Sequence, residues 1–527
     1  MKESTLQKNL QNKITMYIEY FYFHTPVAKM LAVVIALTMD QVAKRAPPDE
    51  DIAASKYIFG FADAMARLEQ DAASGNNADK YTNKFITALS KWADRAPSAC
   101  LRVVMRAAYM SAQMLLVLAP FISVAQDNTL NDILVLNAPR DALNDALDAA
   151  IDPSSGKTRV SLRAELIGLL APLFVHGHLS FPWKRLSSPS MATMMERLRA
   201  YKPSLLDTQQ TVPWTPEYLQ KQGYADGPAA YALFAAAEPP PKKRSKHYKE
   251  QQQQYVTFLS SVADYNTISC LMDSYTEEAR LSARRADAAQ SPLDLWRSNI
   301  DCVTNVLRQC GGDWTPEMMR DEFYLIAREC TQFKPTLALC VYRMLGARRI
   351  LDPCAGWGDR LAGAVAHAGT ERYLAYDPNT ALRAGHSQFI ADYANTMQNV
   401  EVRYEPFEQA RIDEEVFEGV EEPFDLVFTS PPFFDLEVYT SLPGQSIVSF
   451  PTLAEWVDGF LDVLIVKSWA VLAIGGHLVL HLADTERTQV VEHVYRTITA
   501  FGGDYRGVVH SVTLTGKPRP MWIFRKT

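Results

Sequence analysis

Two short motifs in the last third of the chain combine residue types that suit chemistry on a bound ligand. The first is DPCAGWG at 352–358, which stands directly after an apolar run and before a helical pattern. Gly356 and Gly358 let the backbone turn tightly and approach a ligand without a Cβ in the way. Asp377 ends the next apolar run, nineteen residues after Gly358. An acid at that position accepts hydrogen bonds from both ribose hydroxyls of an adenosine cofactor.

The loop at 352–358 begins with an acid and lacks the third glycine of the dinucleotide-binding fingerprint. A carboxylate at Asp352 would repel a pyrophosphate, whereas it suits the cationic amino-acid end of S-adenosylmethionine. The alternative is that Asp352 and Asp377 only cap helices. The pattern favours S-adenosylmethionine as the cofactor. The contacts expected here are Asp352, Pro353, Ala355, Gly356, Gly358 and Asp377.

The second motif is TSPPFF at 429–434, at the end of the fourth predicted strand. A Pro-Pro pair cannot lie inside a central strand, so the strand ends here in a rigid turn. That turn fixes the Ser430 hydroxyl and the Pro431 carbonyl as two acceptors, and Phe433 can stack on a heterocycle. These features suit a planar exocyclic amine whose nitrogen attacks a sulfonium methyl group directly. The predicted catalytic residues are Ser430, Pro431, Pro432 and Phe433.

The elements that position both motifs lie beyond residue 349, where short apolar runs alternate with amphipathic helical patterns. This alternation is typical of a doubly wound, Rossmann-like α/β fold with a mostly parallel sheet. The predicted helices are 360–367, 380–394, 453–472 and 486–501. The predicted strands are 349–352, 373–377, 400–404, 424–428 and 477–482, followed by an antiparallel pair at 505–510 and 521–524.

The first part of the chain reads differently, because apolar residues recur there at three- and four-residue spacing. We therefore predict a large all-α domain over 1–236, which includes a buried core helix at 107–125. A linker rich in Pro, Lys and Gln follows at 237–254. A helical lead-in at 255–332 and a catalytic domain at 333–527 complete the predicted organisation.

The basic cluster from Lys242 to Lys246 in the predicted linker has three interpretations. It is a charged, solvated connector, a nuclear import signal, or a contact for nucleic acid. We expect an intracellular, soluble protein, with the nucleus left open, and no membrane span.

Composition excludes several classes of protein. The chain has 527 residues and a formal net charge of −7, so it is not a basic nucleic-acid coat as a whole. Its seven cysteines include no CxxC pair, which indicates reduced thiols and offers no zinc site. His477 and His481 share one face of the fifth predicted strand, and we interpret them as core or rim histidines rather than metal ligands.

Taken together, DPxxGxG at 352–358 and SPPF at 430–433 resemble the amino-methyltransferases that modify adenine at N6 or cytosine at N4 in nucleic acid. The resemblance covers 333–527 and implies a class I, seven-stranded methyltransferase fold that uses S-adenosylmethionine. Three longer strings look like a subgroup met in phages and large DNA viruses: AGWGDRL at 355–361, DPN at 377–379 and SPPFFDLEVY at 430–439.

The resemblance also suggests further site residues and a target. The segment Phe333, Lys334 and Pro335 occupies the place that touches the methionine end of the cofactor in that family. Glu408 is the nearest candidate for a contact with the cofactor adenine. The implied partner is a nucleic acid, with DNA favoured over RNA and adenine over cytosine. The helical N-terminal region would recognise the target, form a homodimer or bind a partner protein.

Several alternatives stay open at this stage. Asp435, Glu437 and Tyr439 position the base or relay a proton, or else Asp435 caps a helix and Glu437 is solvated. Cys354 is more consistent with packing than with a nucleophile, because Ser430 fills the place where a cytosine-C5 enzyme carries its cysteine. The rival functions are an RNA or cap-adenosine methyltransferase, an enzyme on a protein glutamine, and a scaffold without turnover.

Overall fold

The computed structural model describes residues 78–95, 109, 114, 116–125, 133–151, 153–183, 186–201, 212–213, 255–256, 258–259, 265–440, 442–484, 488–512 and 518–527. These residues fall into two compact units. One lies within Met1–Trp183 and Asp294–Ala327, and the other within Lys184–Leu293 and Arg328–Thr527. The whole of the predicted linker at 237–254, with its basic cluster, lies outside the described residues.

The helices of the described residues are α1 (Ala78–Asp94), α2 (Arg140–Ala150), α3 (Arg159–Val175), α4 (Ser188–Ala200), α5 (Tyr265–Ser282), α6 (Pro292–Ser298), α7 (Ile300–Gln309), α8 (Pro316–Ile326), α9 (Pro335–Leu345), α10 (Asp359–Ala366), α11 (Arg383–Tyr393), α12 (Ile412–Phe417), α13 (Ser446–Ser449), α14 (Leu453–Trp456), α15 (Asp462–Val471) and α16 (Val491–Ala500). Several begin at side-chain caps. The hydroxyl of Thr158 accepts the Ser161 amide at the start of α3, and Thr315 accepts the Met318 amide at the start of α8.

The first unit is not all helical, which corrects the all-α prediction. Ile122–Ala125 and Ile133–Leu136 pair as antiparallel strands. A short 3₁₀ turn, Ala119–Phe121, precedes the first of them, so the predicted helix at 107–125 is wrong over its last part. Pro120 explains the change, because a proline cannot donate the hydrogen bond that a helix interior requires, and β-branched residues follow it.

The second unit contains an eight-stranded sheet. In chain order its strands are β1 (Phe258–Leu259), β2 (Arg349–Asp352), β3 (Arg372–Tyr376), β4 (Asn399–Arg403), β5 (Phe424–Thr429), β6 (Leu472–His481), β7 (Gly503–Val512) and β8 (Pro518–Lys526). Their spatial order is β1-β7-β8-β6-β5-β2-β3-β4. The neighbours from β6 to β4 are parallel, and β8 is antiparallel to both β6 and β7. The seven predicted strands and the Rossmann-like class are confirmed, and β1 is an additional short strand.

Both faces of the central strands are buried, as a parallel sheet between helices requires. Leu351 and Val427 belong to one core, and Ile350 and Leu426 belong to the other. The methionines of α4 also lie in the second of these cores, so α4 packs with the sheet although we placed it in the N-terminal domain. The three predicted domain boundaries otherwise stay predictions.

Two element boundaries in the second unit differ from the prediction. Strand β6 begins at Leu472 rather than at His477, and its register with β5 shifts before His477. Gly475, with φ of 83°, takes a left-handed conformation within this irregular stretch instead of ending a helix. The last helix begins at Val491, five residues later than expected. Among the described residues no helix is long and apolar enough to cross a membrane.

Candidate active site

A cavity of about 290 Å³ opens at the carboxyl ends of β2, β3 and β5, where open α/β sheets bind ligands. Ten of the fourteen predicted site residues line it: Phe333, Pro353, Ala355, Gly356, Asp377, Glu408, Ser430, Pro431, Pro432 and Phe433. The remaining four do not line it: Lys334, Pro335, Asp352 and Gly358. The two motifs therefore face one space, although about seventy residues separate them in sequence.

The glycine loop forms the floor of this cavity and leads into α10. Gly356 has φ of 58° and Gly358 has φ of 98°, values that side chains with a Cβ rarely adopt. A Cβ at Gly358 would come within 2.5 Å of the Met272 methyl group. Both backbone conformations favour glycine, and the close approach at Gly358 is to Met272. The approach of this loop to a ligand stays a prediction.

Asp377 joins the loop to the end of β3. Its carboxylate accepts the amide of Gly356 at 2.8 Å and the amide of Asn379 at 2.9 Å. Burial raises the pKa of Asp377 to about 6, although these two amides act in the opposite direction. The residue is therefore ionised at neutral pH and lies in the cavity wall as a hydrogen-bond acceptor.

Asp352 is placed differently from our expectation. It is fully buried, and its carboxylate accepts the Arg360 Nε at 2.8 Å and the Tyr373 hydroxyl at 2.9 Å. Arg360 itself lines the cavity and also donates to the Cys354 carbonyl. Although burial opposes the charge of Arg360, Asp352 keeps its pKa above the usual value. Of this ion pair, Arg360 is therefore the residue that lines the cavity.

Phe333 is the part of its segment that reaches the cavity. Its ring lies 5.7 Å from that of Phe428, and the Arg360 guanidinium carbon lies 5.2 Å from its centroid. Lys334 and Pro335 instead begin α9, where both are buried.

Two acidic side chains in the cavity wall carry oxygens without a hydrogen-bond partner in the described part of the chain. They are Oε1 of Glu408 and Oδ2 of Asp359. Burial raises the pKa of Glu408, and it raises the pKa of Asp359 well above the usual value, with Asp273 adding to the effect. Buried acceptors of this kind are satisfied when a ligand donates to them.

The predicted catalytic turn follows β5 directly. The Ser430 hydroxyl lies 3.0 Å from Nδ1 of His481, and the Phe433 ring meets the His481 ring edge-on at 6.1 Å. Phe434, with φ of 49°, takes a left-handed conformation rare for a residue with a Cβ. His481 therefore contacts two residues of the turn, Ser430 and Phe433.

Four residues of the wall were missed or undervalued from sequence: Asp359, Arg360, Glu437 and His481. Glu437 is not solvated, because it accepts the Thr331 amide at 2.8 Å and the Tyr439 hydroxyl at 3.0 Å. It therefore ties the segment before α9 to the loop after the catalytic turn. The AGWGDRL string contains Asp359 and Arg360, but nothing in the sequence distinguished them as candidate site residues.

The described residues give little support to a nucleophilic cysteine or to a metal site. Burial raises the pKa of the Cys354 thiol well above its usual value, and Asp352 and Asp377 add to this effect. A thiol held protonated is a poor nucleophile, which agrees with a packing role. No group of three or more His, Cys, Asp or Glu residues within the described ranges could hold a metal ion.

No protein-family profile and no curated protein matches the chain in sequence. Solved structures match part of it. TrmN from Thermus thermophilus is 19% identical over 37% of this chain, with a TM-score of 0.26, and the chain spans about half of its length (49%). The N-methyltransferase NodS from Bradyrhizobium japonicum WM9, in complex with S-adenosyl-L-homocysteine, is 14% identical over 36% of this chain and 85% of its own, with a TM-score of 0.25.

An rRNA methylase from Streptococcus thermophilus is also similar. It is 15% identical over 37% of this chain and 99% of its own, with a TM-score of 0.23. Identity and TM-score are low in all three cases, so these similarities carry no conclusion about function.

Proposed function

We propose that this protein is an S-adenosylmethionine-dependent methyltransferase that acts on the exocyclic amino group of a base in nucleic acid. The observation that carries the proposal is the shared cavity. It brings the acceptors of the Ser430-Pro431 turn together with the acidic residues that suit an adenosine-containing methyl donor. Direct methyl transfer requires that one space binds both the methyl donor and the target amine.

The residues present fit S-adenosylmethionine. Asp377 would accept the ribose hydroxyls, and the free Oε1 of Glu408 would accept from the adenine. The unsatisfied Oδ2 of Asp359 suits the ammonium group, and the Arg360 guanidinium suits the carboxylate of the methionine end. In this assignment Asp352 acts through Arg360, which it holds in place.

Bound S-adenosylmethionine supplies a methyl group on a sulfonium centre. The target nitrogen would bond to the methyl carbon with its lone pair, the sulfur would keep the electron pair of the broken carbon–sulfur bond and leave as the neutral thioether, and the nitrogen would release one proton to solvent. Ser430 and the Pro431 carbonyl hold the amine hydrogens and favour the lone pair on nitrogen. Phe433 stacks on the base. Most of the acceleration of the reaction then comes from the placement of the target amine and the methyl group.

The target is proposed to be adenine at N6 in DNA. A base stacked in a duplex cannot bring its amine in line with the cofactor, so the enzyme either flips the base or accepts an unpaired one. Ser430 does not decide between adenine and cytosine, and RNA or a cap adenosine is the nearest alternative. The N-terminal region would recognise the target, dimerise or bind a partner protein.

The test is transfer of tritiated methyl groups from S-adenosylmethionine to duplex DNA, single-stranded DNA, RNA and capped RNA. Digestion to nucleosides and mass spectrometry then identify the product. We expect N6-methyldeoxyadenosine, and we expect Ser430→Ala to abolish most of it while still binding the cofactor. Cofactor binding without label in any nucleic acid would contradict the proposal, and label in a protein glutamine would replace it.

A further inference from the structure

A serine hydroxyl is an ambiguous partner for a target amine, because it donates one hydrogen bond and accepts two. The rest of the catalytic turn is not ambiguous. Pro431 and Pro432 have no backbone N–H, so the turn presents carbonyl oxygens there and no amide donors. The turn therefore presents only hydrogen-bond acceptors to the target amine if the hydroxyl hydrogen of Ser430 points away from it.

The neighbour that can take this hydrogen is His481. It is the last residue of β6, and the parallel register that pairs Thr429 with Leu480 brings Ser430 next to it. The distance between the Ser430 oxygen and Nδ1 of His481 is 3.0 Å. A hydrogen bond of this length allows either atom to donate, and the imidazole tautomer decides which one does.

The imidazole is held in this position by its surroundings. His481 is 5% exposed. The ring of Phe333 meets it edge-on at 5.2 Å and 85°, and the ring of Phe433 does so at 6.1 Å and 87°. Because the His481 ring is buried and packed against the rings of Phe333 and Phe433, it presents Nδ1 to the Ser430 hydroxyl in a fixed direction.

We propose that His481 is a positioning residue whose Nδ1 accepts the Ser430 hydrogen, so that the Ser430 lone pairs face the target amine. The imidazole is then neutral and carries its hydrogen on Nε2. This inference rests on the proposed function for its purpose, although the tautomer itself is a property of the protein alone. The opposite tautomer would turn the hydroxyl hydrogen toward the amine and work against its binding.

The direct test is ¹⁵N NMR of the full-length protein labelled in its ten histidines. The His481 signals are assigned by their absence in His481→Asn. We expect Nδ1 to have the shift of an unprotonated nitrogen that accepts a hydrogen bond, and Nε2 that of a protonated one. Ser430→Ala should move the Nδ1 signal. A proton on Nδ1 would overturn the inference, whether or not the protein methylates nucleic acid.

Kinetic variants provide a second readout. Asn places a carbonyl oxygen near the position of Nδ1, whereas Phe keeps the ring and removes the acceptor. We expect His481→Phe to slow single turnover by about 10-fold, the order expected for one hydrogen bond, with unchanged cofactor affinity. His481→Asn should recover much of that rate. Equal rates for the Phe and Asn variants would contradict the inference.

Two controls separate this role from structural damage. His477→Phe changes a half-buried histidine on the same face of β6, away from the cavity, and should turn over like wild type. The double variant Ser430→Ala/His481→Phe should be no slower than Ser430→Ala, because His481 acts only through Ser430. Additive losses would assign His481 a separate role and overturn the proposal. If wild type methylates nothing, the proposed function fails while the NMR result still decides the tautomer.

Discussion

Asp377→Asn is expected to weaken binding of S-adenosylmethionine strongly. The Asp377 carboxylate accepts the amides of Gly356 and Asn379, at 2.8 Å and 2.9 Å. The ribose hydroxyls would donate to the same oxygens, and a hydrogen bond to a charged group is worth about 1.5–3 kcal/mol. Asn keeps one carbonyl acceptor, so we count the loss of one such bond. The expected loss of affinity is roughly 10- to 100-fold, measured by titration calorimetry.

The pH dependence of binding follows from the same carboxyl. Burial raises the pKa of Asp377 to about 6, so half of it is protonated near that pH. Ionised carboxylate is the better acceptor, and affinity for the cofactor should therefore fall as the pH decreases through about 6. In Asp377→Asn the part of this dependence that Asp377 contributes should disappear, whereas any contribution of Asp359 and Glu408, whose pKa values burial also raises, should remain.

Folding stability should change with pH in the opposite direction because of the same Asp377 carboxyl. Because the folded pKa lies above the ordinary value of 3.8, the folded state binds more protons between the two values. The contribution of Asp377 to stability is fully present below the ordinary pKa and is lost as the pH rises through about 6. Thermal melting of wild type and Asp377→Asn across this range checks the sign.

Asp425→Asn is the matched control for these measurements. Asp425 also accepts two backbone amides, those of Arg348 and Arg349, and burial raises its pKa as well. It lies at the start of β5, and it does not line the cavity. Its variant should bind the cofactor like wild type. Equal losses in both variants would mean that a general disturbance of the sheet, rather than the loss of a ribose contact, lowers the affinity. Unchanged affinity in Asp377→Asn would remove this residue from the site.

The remaining expectations concern target binding, packing and chain organisation. Phe433→Ala should weaken nucleic-acid binding by about 1–3 kcal/mol, the value of stacking on one base, and a filter-binding assay that shows no change would refute the stacking role. Gly385→Ala should lower the free energy of unfolding by about 1–3 kcal/mol, because its Cβ would lie 2.2 Å from the Tyr275 carbonyl oxygen. Gly168→Ala, in a helix with open space, should raise that free energy by about 0.5–1 kcal/mol, and denaturant titration compares the two. Limited proteolysis should cut first within 237–254, and resistance of this segment until global unfolding would contradict the predicted linker.

Much of the sheet could be predicted because strand and helix periods differ and because parallel strands are apolar throughout. The run at 349–352 matches β2 residue for residue. Two turns could also be predicted, because their residue types suit few backbone conformations. Gly356 and Gly358 have positive φ, and the Pro-Pro pair follows the end of β5. Signals of this kind are local, so the sequence contains them explicitly.

The errors arose where tertiary contacts decide. Asp352 and Arg360 are eight residues apart, and nothing local indicates that the arginine would neutralise the acid and take its place in the cavity. His481 is buried, as expected of a core or rim histidine, but its contact with Ser430 could not be predicted. The two residues are fifty-one positions apart and meet only through the register between β5 and β6. Gly475 and Gly476 look like a helix end, yet they form an irregular part of a strand.

The contact between Ser430 and the target amine is tested most directly by single-turnover methylation with Ser430→Ala. A contact made mainly in the transition state lowers the rate when it is removed and leaves cofactor affinity unchanged. By comparison with the loss of one preorganised polar partner, the rate constant should fall roughly 10²–10³-fold. Methylation by Ser430→Ala at the wild-type rate, with the cofactor bound equally well, would contradict the amino-methyltransferase mechanism.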